Sequence, residues 1–177
     1  MNKLLFLFLL LPFISFCQTV DIDFKISETY STSTGPGNIV KGFFNSDTIP
    51  DLAVANNDGN SVTVFLGSGD STFASINSFN ALRPIYIVAG YIDADTNTDF
   101  AIATVNNQNY YVNIYLGAGD GVTFTSTDSN YTLGGPPTWM VGIDFNKDGV
   151  LDLATANSSS SSGSISILQG IYGGGFE

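Results

Sequence analysis

Side chains that carry oxygen occupy alternate positions of one short segment, Asp144, Asn146 and Asp148, and Asp152 follows four residues later. Ca²⁺ takes about six to eight oxygen ligands, and a loop this short can supply them only by turning sharply. Gly149 stands where that turn requires positive φ. The segment therefore predicts a calcium site formed by Asp144, Asn146, Asp148, the Val150 carbonyl and Asp152. Mg²⁺ fits less well because it demands strict octahedral geometry.

Two earlier segments repeat this order with changes. The second copy offers Asp93, Asp95, the Asn97 carbonyl and Asp99, and the first offers Asn45, Asp47, the Ile49 carbonyl and Asp51. Tyr91 and Phe43 replace the first carboxylate, and Thr96 and Thr48 replace the glycine, although β-branched residues resist positive φ. The second copy is thus expected to bind calcium weakly. The first keeps two acids, and a hydrogen-bonded Asx turn without metal is the alternative.

Composition excludes most catalytic chemistry. The sequence contains no histidine, and Cys17 is its only cysteine. A thiol nucleophile, an imidazole base and the usual zinc ligands are therefore missing once residues 1–17 are removed. A glycosidase would need paired carboxylates, one of them with a raised pKa, whereas acids in a metal loop are held ionised. The sequence predicts a protein that is not an enzyme.

The charge balance is strongly acidic. Asp and Glu number 16 against five Lys and Arg, and 8 of the 16 acids lie in the three loops. An acidic chain is repelled by nucleic acid, so no nucleic-acid partner is expected. Carboxylates crowded into small loops repel one another unless a cation neutralises them, which favours calcium as the bound ion.

Residues 1–17 have the pattern of a signal peptide. Lys3 precedes an apolar run from Leu4 to Phe16, and Ser15 and Cys17 are small residues at the positions that a cleavage site requires. The run is shorter than the roughly 18 residues that span a membrane. We expect export to the outside or surface of a bacterial cell, with no membrane span after cleavage. A lipoprotein modified at Cys17 is the alternative.

Three copies of a longer unit position these loops. The copies are assigned to residues 35–83, 84–135 and 136–177, with periods of 48 and 53 residues between equivalent loop positions. Pro36, Pro84 and Pro137 each lie seven residues before a loop. Residues 18–34 precede the first copy and are expected to hold a strand, Val20–Ile26, from an adjacent or incomplete unit.

Each copy reads as about four short antiparallel strands. Apolar β-branched runs alternate with turn residues such as Asn57–Asn60, and no helical periodicity follows residue 17. Small residues fall on one strand face and large apolar residues on the other, so both faces must be covered. Four-stranded blades stacked around an axis satisfy this, which predicts an all-β fold: a β-propeller segment of about three blades. A two-sheet sandwich is the rival architecture.

Three blades are too few for a closed propeller, which typically has about four to eight. The third copy ends at Gly173–Glu177, where the other copies begin their last strand. We therefore expect further blades of the same polypeptide to be missing. Self-association that completes a ring is the less favoured alternative.

The segments IDFNKDGVLDLATAN, at 143–157, and FLGSGDSTF, at 65–73, resemble the FG-GAP repeats of integrin alpha-subunits and, more closely, the bacterial VCBS or FG-GAP-like repeats. The resemblance covers Pro36 to Glu177. It implies a propeller of the seven-bladed type and the same calcium ligands in the third loop. Such propellers serve adhesion, ligand binding or as modules beside secreted enzymes.

These observations predict an exported, non-catalytic, calcium-stabilised domain that binds an unidentified protein or glycan, or mediates adhesion at the cell surface. The alternatives are an accessory or carbohydrate-binding module of a larger secreted enzyme, and a lectin. Tyr86 and Trp139 occupy equivalent positions two residues after the repeat proline. Packing between blades is the favoured interpretation of both rings, and a sugar-stacking platform is the alternative.

Overall fold

A computed structural model describes residues 28–159 and 162–177. The signal peptide at 1–17 and the strand expected at Val20–Ile26 lie outside these residues. Residues 28–34 are described and form no strand. No helix of the described part of the chain is long and apolar enough to cross a membrane.

Eleven strands follow one another along the described residues. They are β1 Pro36–Gly42, β2 Asp51–Asn56, β3 Ser61–Gly67, β4 Phe73–Asn80, β5 Pro84–Gly90, β6 Asp99–Asn106, β7 Asn109–Gly117, β8 Phe124–Thr132, β9 Pro137–Ile143, β10 Asp152–Asn157 and β11 Ser164–Leu168.

The strands form three antiparallel sheets in which each strand pairs only with its neighbours in sequence. The first sheet holds β1 to β4, the second β5 to β8, and the third β9 to β11. The all-β class and the antiparallel pairing expected from the sequence are confirmed. Three sheets, not the two of a sandwich, form within the described residues, and none of them closes on itself.

Two apolar cores separate the three sheets. The first core lies between the first and second sheets, and its largest fully buried side chains include Phe44, Phe100 and Ile102. The second core lies between the second and third sheets and includes Leu153 and Val112. The second sheet is therefore covered on both faces, which explains why β6 reads as a continuous run of buried residues.

The first strands of the three sheets lie side by side. The Ile87 amide of β5 donates to Asn38 Oδ1 of β1 at 3.0 Å. On the other side, the rings of Tyr86 in β5 and Trp139 in β9 lie 5.7 Å apart between centroids. Both rings thus contact each other between neighbouring sheets. β1, β5 and β9 place the loops that follow them at one end of the stack.

Small residues allow the close approach of the sheets. Ala53, Ala55, Ala101 and Ala103 in β2 and β6 are fully buried. The equivalent Ala156 in β10 is exposed, because no described sheet follows the third one. The alternation of small and large residues thus fits a sheet that is packed on both sides.

Candidate metal centre

Each of the three loops begins at the end of a first strand and ends at the start of the next. In the second loop, the Asp95 amide donates to Asp93 Oδ1 at 2.9 Å, and the Asn97 amide donates to Asp95 Oδ1 at 2.7 Å. These bonds tighten the chain so that alternate side chains point to the same side. The same pair of bonds recurs in the other two loops.

The second loop brings three carboxylates together. One oxygen each of Asp93, Asp95 and Asp99 lies within 4.8 Å of the others, and no other group of three acidic side chains does so in residues 28–159 and 162–177. The basic side chains of the described chain are those of Lys41, Arg83 and Lys147. Three like charges at such distances destabilise the loop unless a cation joins them, and hard divalent cations prefer carboxylate oxygens.

The third loop follows a different path. Gly149 has φ 88°, as its position in the loop requires, and Lys147 has φ 65°. Asp144 accepts the amide hydrogens of Lys147 at 2.6 Å and Gly149 at 2.9 Å. The carboxylates of Asp144, Asp148 and Asp152 do not gather as those of the second loop do. The third loop thus has the most complete set of calcium-binding residue types, but its first carboxylate, Asp144, accepts hydrogen bonds from the backbone.

The first loop is held by its own polar groups. Asn45 Nδ2 donates to Asp47 Oδ2 at 2.7 Å, and the Ile49 amide donates to Asp47 Oδ1 at 2.8 Å. Thr48, like Thr96 in the second loop, has no positive φ. Both loops therefore turn without the left-handed residue that Gly149 supplies.

The aspartate that ends each loop binds two backbone amides that are distant in sequence. One amide lies at the second loop position and the other at, or two residues after, the end of the third strand of the same sheet. The pairs of donors are Phe44 and Gly67 for Asp51, Ile92 and Gly117 for Asp99, and Phe145 and Gly170 for Asp152, at 2.7 to 2.9 Å. All three aspartates are buried. We call this arrangement the loop clamp.

The sequence assigned these aspartates to metal binding and missed the loop clamp. The signal that could have indicated it is a glycine near the end of each third strand. A Cβ at Gly67, Gly117 or Gly170 would overlap the carbonyl oxygen of the residue just before the clamp aspartate. Glycine is thus needed where the strand end approaches the loop closely enough to donate its amide.

The pKa values of two clamp aspartates are shifted in opposite directions. Burial raises the pKa of Asp99 and outweighs the hydrogen bonds from the Gly117, Ile92 and Asp93 amides, and the Asp93 charge raises it further. The hydrogen bonds from the Gly170 and Phe145 amides lower the pKa of Asp152. A nearby cation would therefore stabilise the ionised form of Asp99 more than that of Asp152.

No family model, curated protein or solved structure matches this chain.

Proposed function

We propose that the chain is an exported, non-catalytic, calcium-stabilised β-propeller domain of the FG-GAP or VCBS repeat type that binds a ligand or mediates adhesion at the cell surface. The observation that carries this proposal is the group of Asp93, Asp95 and Asp99. Calcium is the expected cation, because carboxylate and carbonyl oxygens suit its variable coordination. The Asn97 carbonyl would add a fourth protein ligand.

The arrangement of the sheets supports the propeller part of the proposal. Three sheets follow in chain order, and their first strands β1, β5 and β9 lie side by side. A propeller places the first strand of each blade nearest the central axis. A complete ring of the seven-bladed type would need further blades, which we assign to the same polypeptide.

The third loop is proposed as a second calcium site. Its ligands would be Asp144, Asn146, Asp148, the Val150 carbonyl and Asp152. Gly149 already has the positive φ that the loop needs. Binding would only require the Asp144 carboxylate to exchange some of its backbone hydrogen bonds for the ion. The first loop, with Asn45, Asp47, the Ile49 carbonyl and Asp51, offers the smallest charge to a cation.

Calcium is expected to raise the melting temperature modestly. Extracellular modules bind it with dissociation constants of about 10⁻⁴ to 10⁻³ M, so roughly millimolar calcium adds about 0.4 to 1.4 kcal/mol per site. This corresponds to about 1 to 5 °C for a chain of this size. Asp95→Ala should remove the contribution of the second loop, and Asp148→Ala most of the remainder.

The measurement is a thermal melt in calcium and in chelator, for the wild type and both variants. Asp58→Ala, which changes an exposed acid outside the loops, serves as the matched control and should keep the full rise. Identical melting curves in calcium and chelator for the wild type would refute calcium binding.

Calcium affinity should fall on acidification. Because the folded pKa of Asp99 is raised, a proton competes for this carboxylate at a higher pH than for an ordinary aspartate. The proton must leave before the ion binds, so affinity rises with pH through the raised pKa and is weaker at about pH 5 than at about pH 7. Titration calorimetry at both values tests this, and equal or tighter binding at the lower pH contradicts it.

A glycan-binding module, either a lectin or an accessory domain of a secreted enzyme, is the second candidate. Trp139 supports it, because this large ring is exposed beside Tyr86. Exposed aromatic rings stack on the apolar faces of sugars. A glycan array probed with the wild type and with Trp139→Ala tests this candidate. Binding that is lost in the variant supports it, and no binding by the wild type rejects it.

A further inference from the structure

Four residues of the first two loops depart from the calcium-binding pattern, and the structure brings all four into one cleft. Phe43 and Tyr91 replace the first carboxylate, and Thr48 and Thr96 replace the glycine. All four line a cleft of about 280 Å³ between the first and second loops. We call it the interloop cleft and define it by these four residues. The changes that remove metal ligands from both loops thus build a different surface between them.

The two rings of the interloop cleft are exposed between neighbours that are both described. Tyr91 lies in the second loop, which has a described loop on either side, and it is still 58% exposed. Phe43 is 49% exposed and lines the same cleft as Tyr91, so it borders the second sheet. Apolar surface left in water is unfavourable by about 25 cal/mol per Å². A ligand that covers both rings would recover part of this free energy.

The backbone beneath both rings is held in place. The residues that follow them, Phe44 and Ile92, are buried in the two cores. Their amides donate to the clamp aspartates of their own loops at 2.7 and 2.8 Å. The second sheet also approaches the first loop, because a Cβ at Gly121 would lie 3.4 Å from the Asn45 Cβ. The interloop cleft is therefore preformed, and a ligand would lose little free energy to the ordering of its walls.

The polar lining of the cleft is mostly uncharged. Asn45, Ser46 and Asp47 join the two threonines in it, and no Lys or Arg is among its described lining residues. Asp47 is the one carboxylate there, and its oxygens accept hydrogen bonds from Asn45 Nδ2 at 2.7 Å and the Ile49 amide at 2.8 Å. The whole chain carries a formal net charge of −11, which repels anions. The lining thus favours a neutral ligand that bears several hydroxyl groups.

We propose that the interloop cleft binds one neutral sugar ring of a glycan. Tyr91 and Phe43 would cover the apolar face of the ring, and Thr48, Thr96 and Asn45 would exchange hydrogen bonds with its hydroxyl groups. The cleft is slightly smaller than pockets for drug-sized ligands, which measure roughly 300 to 1,000 Å³, so it suits a single ring. This inference rests on the proposed ligand-binding role of the domain, and it names the ligand class and the site.

An array of glycans with neutral and acidic terminal sugars, probed in roughly millimolar calcium, tests the proposal. Titration calorimetry with the free monosaccharide of the best-bound glycan then gives the affinity. The wild type should bind a neutral terminal sugar, and Tyr91→Ala should weaken binding by about tenfold or more. Tyr91→Phe keeps the ring and should retain most of the affinity. Thr96→Val removes a hydroxyl at nearly constant size and should weaken binding by about three- to tenfold.

Trp139→Ala is the matched control, because it removes an exposed ring outside the interloop cleft and should leave the affinity unchanged. Thermal melts of the same variants separate this inference from calcium binding, since Tyr91→Ala should keep the calcium-dependent rise of the wild type. That rise without any sugar binding would overturn the sugar site and leave the calcium proposal standing. A preference for acidic sugars, wild-type affinity in Tyr91→Ala, or lost binding in Trp139→Ala would each overturn the inference as well.

Discussion

Replacement of Phe44 by alanine is expected to lower the free energy of unfolding by about 4 kcal/mol. Phe44 is fully buried in the first core, where its ring packs against Phe100 and Phe124. Truncation removes these contacts and leaves a cavity that the paired strands on both sides cannot fill by moving. Urea denaturation gives the loss directly, as a lower midpoint with an unchanged slope.

The neighbouring phenylalanine provides a matched control. Phe43 precedes Phe44 in the same loop but is half exposed. Phe43→Ala should therefore change the free energy of unfolding by less than about 1 kcal/mol. Similar losses for the two variants would mean that the sheets are not packed together through Phe44.

Replacement of Asp51 by alanine is expected to lower the free energy of unfolding by about 3 kcal/mol. The Phe44 amide donates to Asp51 Oδ2 at 2.7 Å, and the Gly67 amide donates to Oδ1 at 2.9 Å. Without the carboxylate, two amide groups in a region closed to water lose their acceptor, and each unsatisfied group costs about 1 to 3 kcal/mol. Asp51→Asn keeps one acceptor oxygen but directs an NH₂ donor at the second backbone N–H, so it should also destabilise the chain.

This loss distinguishes the loop clamp from metal binding. Asp51 belongs to the loop with the fewest acids, so the destabilisation of Asp51→Ala should be the same in calcium and in chelator. Chemical denaturation under both conditions provides the measurement, with Asp58→Ala as an exposed-acid control. A loss that disappears in chelator would show that Asp51 acts through a bound ion and not through the two amides.

The strands could be predicted from the sequence because local chemistry specifies them. Turn residues such as Asn57–Asn60 end one strand and begin the next, and Asn60 indeed has φ 49°. Alternation of side chains then identifies the faces, as for Ala53 and Ala101, which are both fully buried. These signals depend on a few neighbouring residues, so they are readable without tertiary information.

The geometry of the loops could not be read in the same way. Residue types favour the third loop as a calcium site, yet the acids that gather are Asp93, Asp95 and Asp99 of the second. The difference depends on the backbone path. In the third loop Lys147 and Gly149 direct their amides to the Asp144 carboxylate. A competition between backbone amides and a metal for the same oxygens is decided by φ and ψ, not by the order of residues.

The pairing of every strand with its immediate neighbour in sequence also bears on how the chain folds. Hydrogen-bonded partners within a sheet are close along the polypeptide, so little loop-closure entropy is lost when each pair of strands forms. Such low contact order favours rapid folding for an all-β protein. A nascent chain could complete its first sheet while the later ones are still being synthesised. Each finished sheet would then offer a surface against which the next one packs.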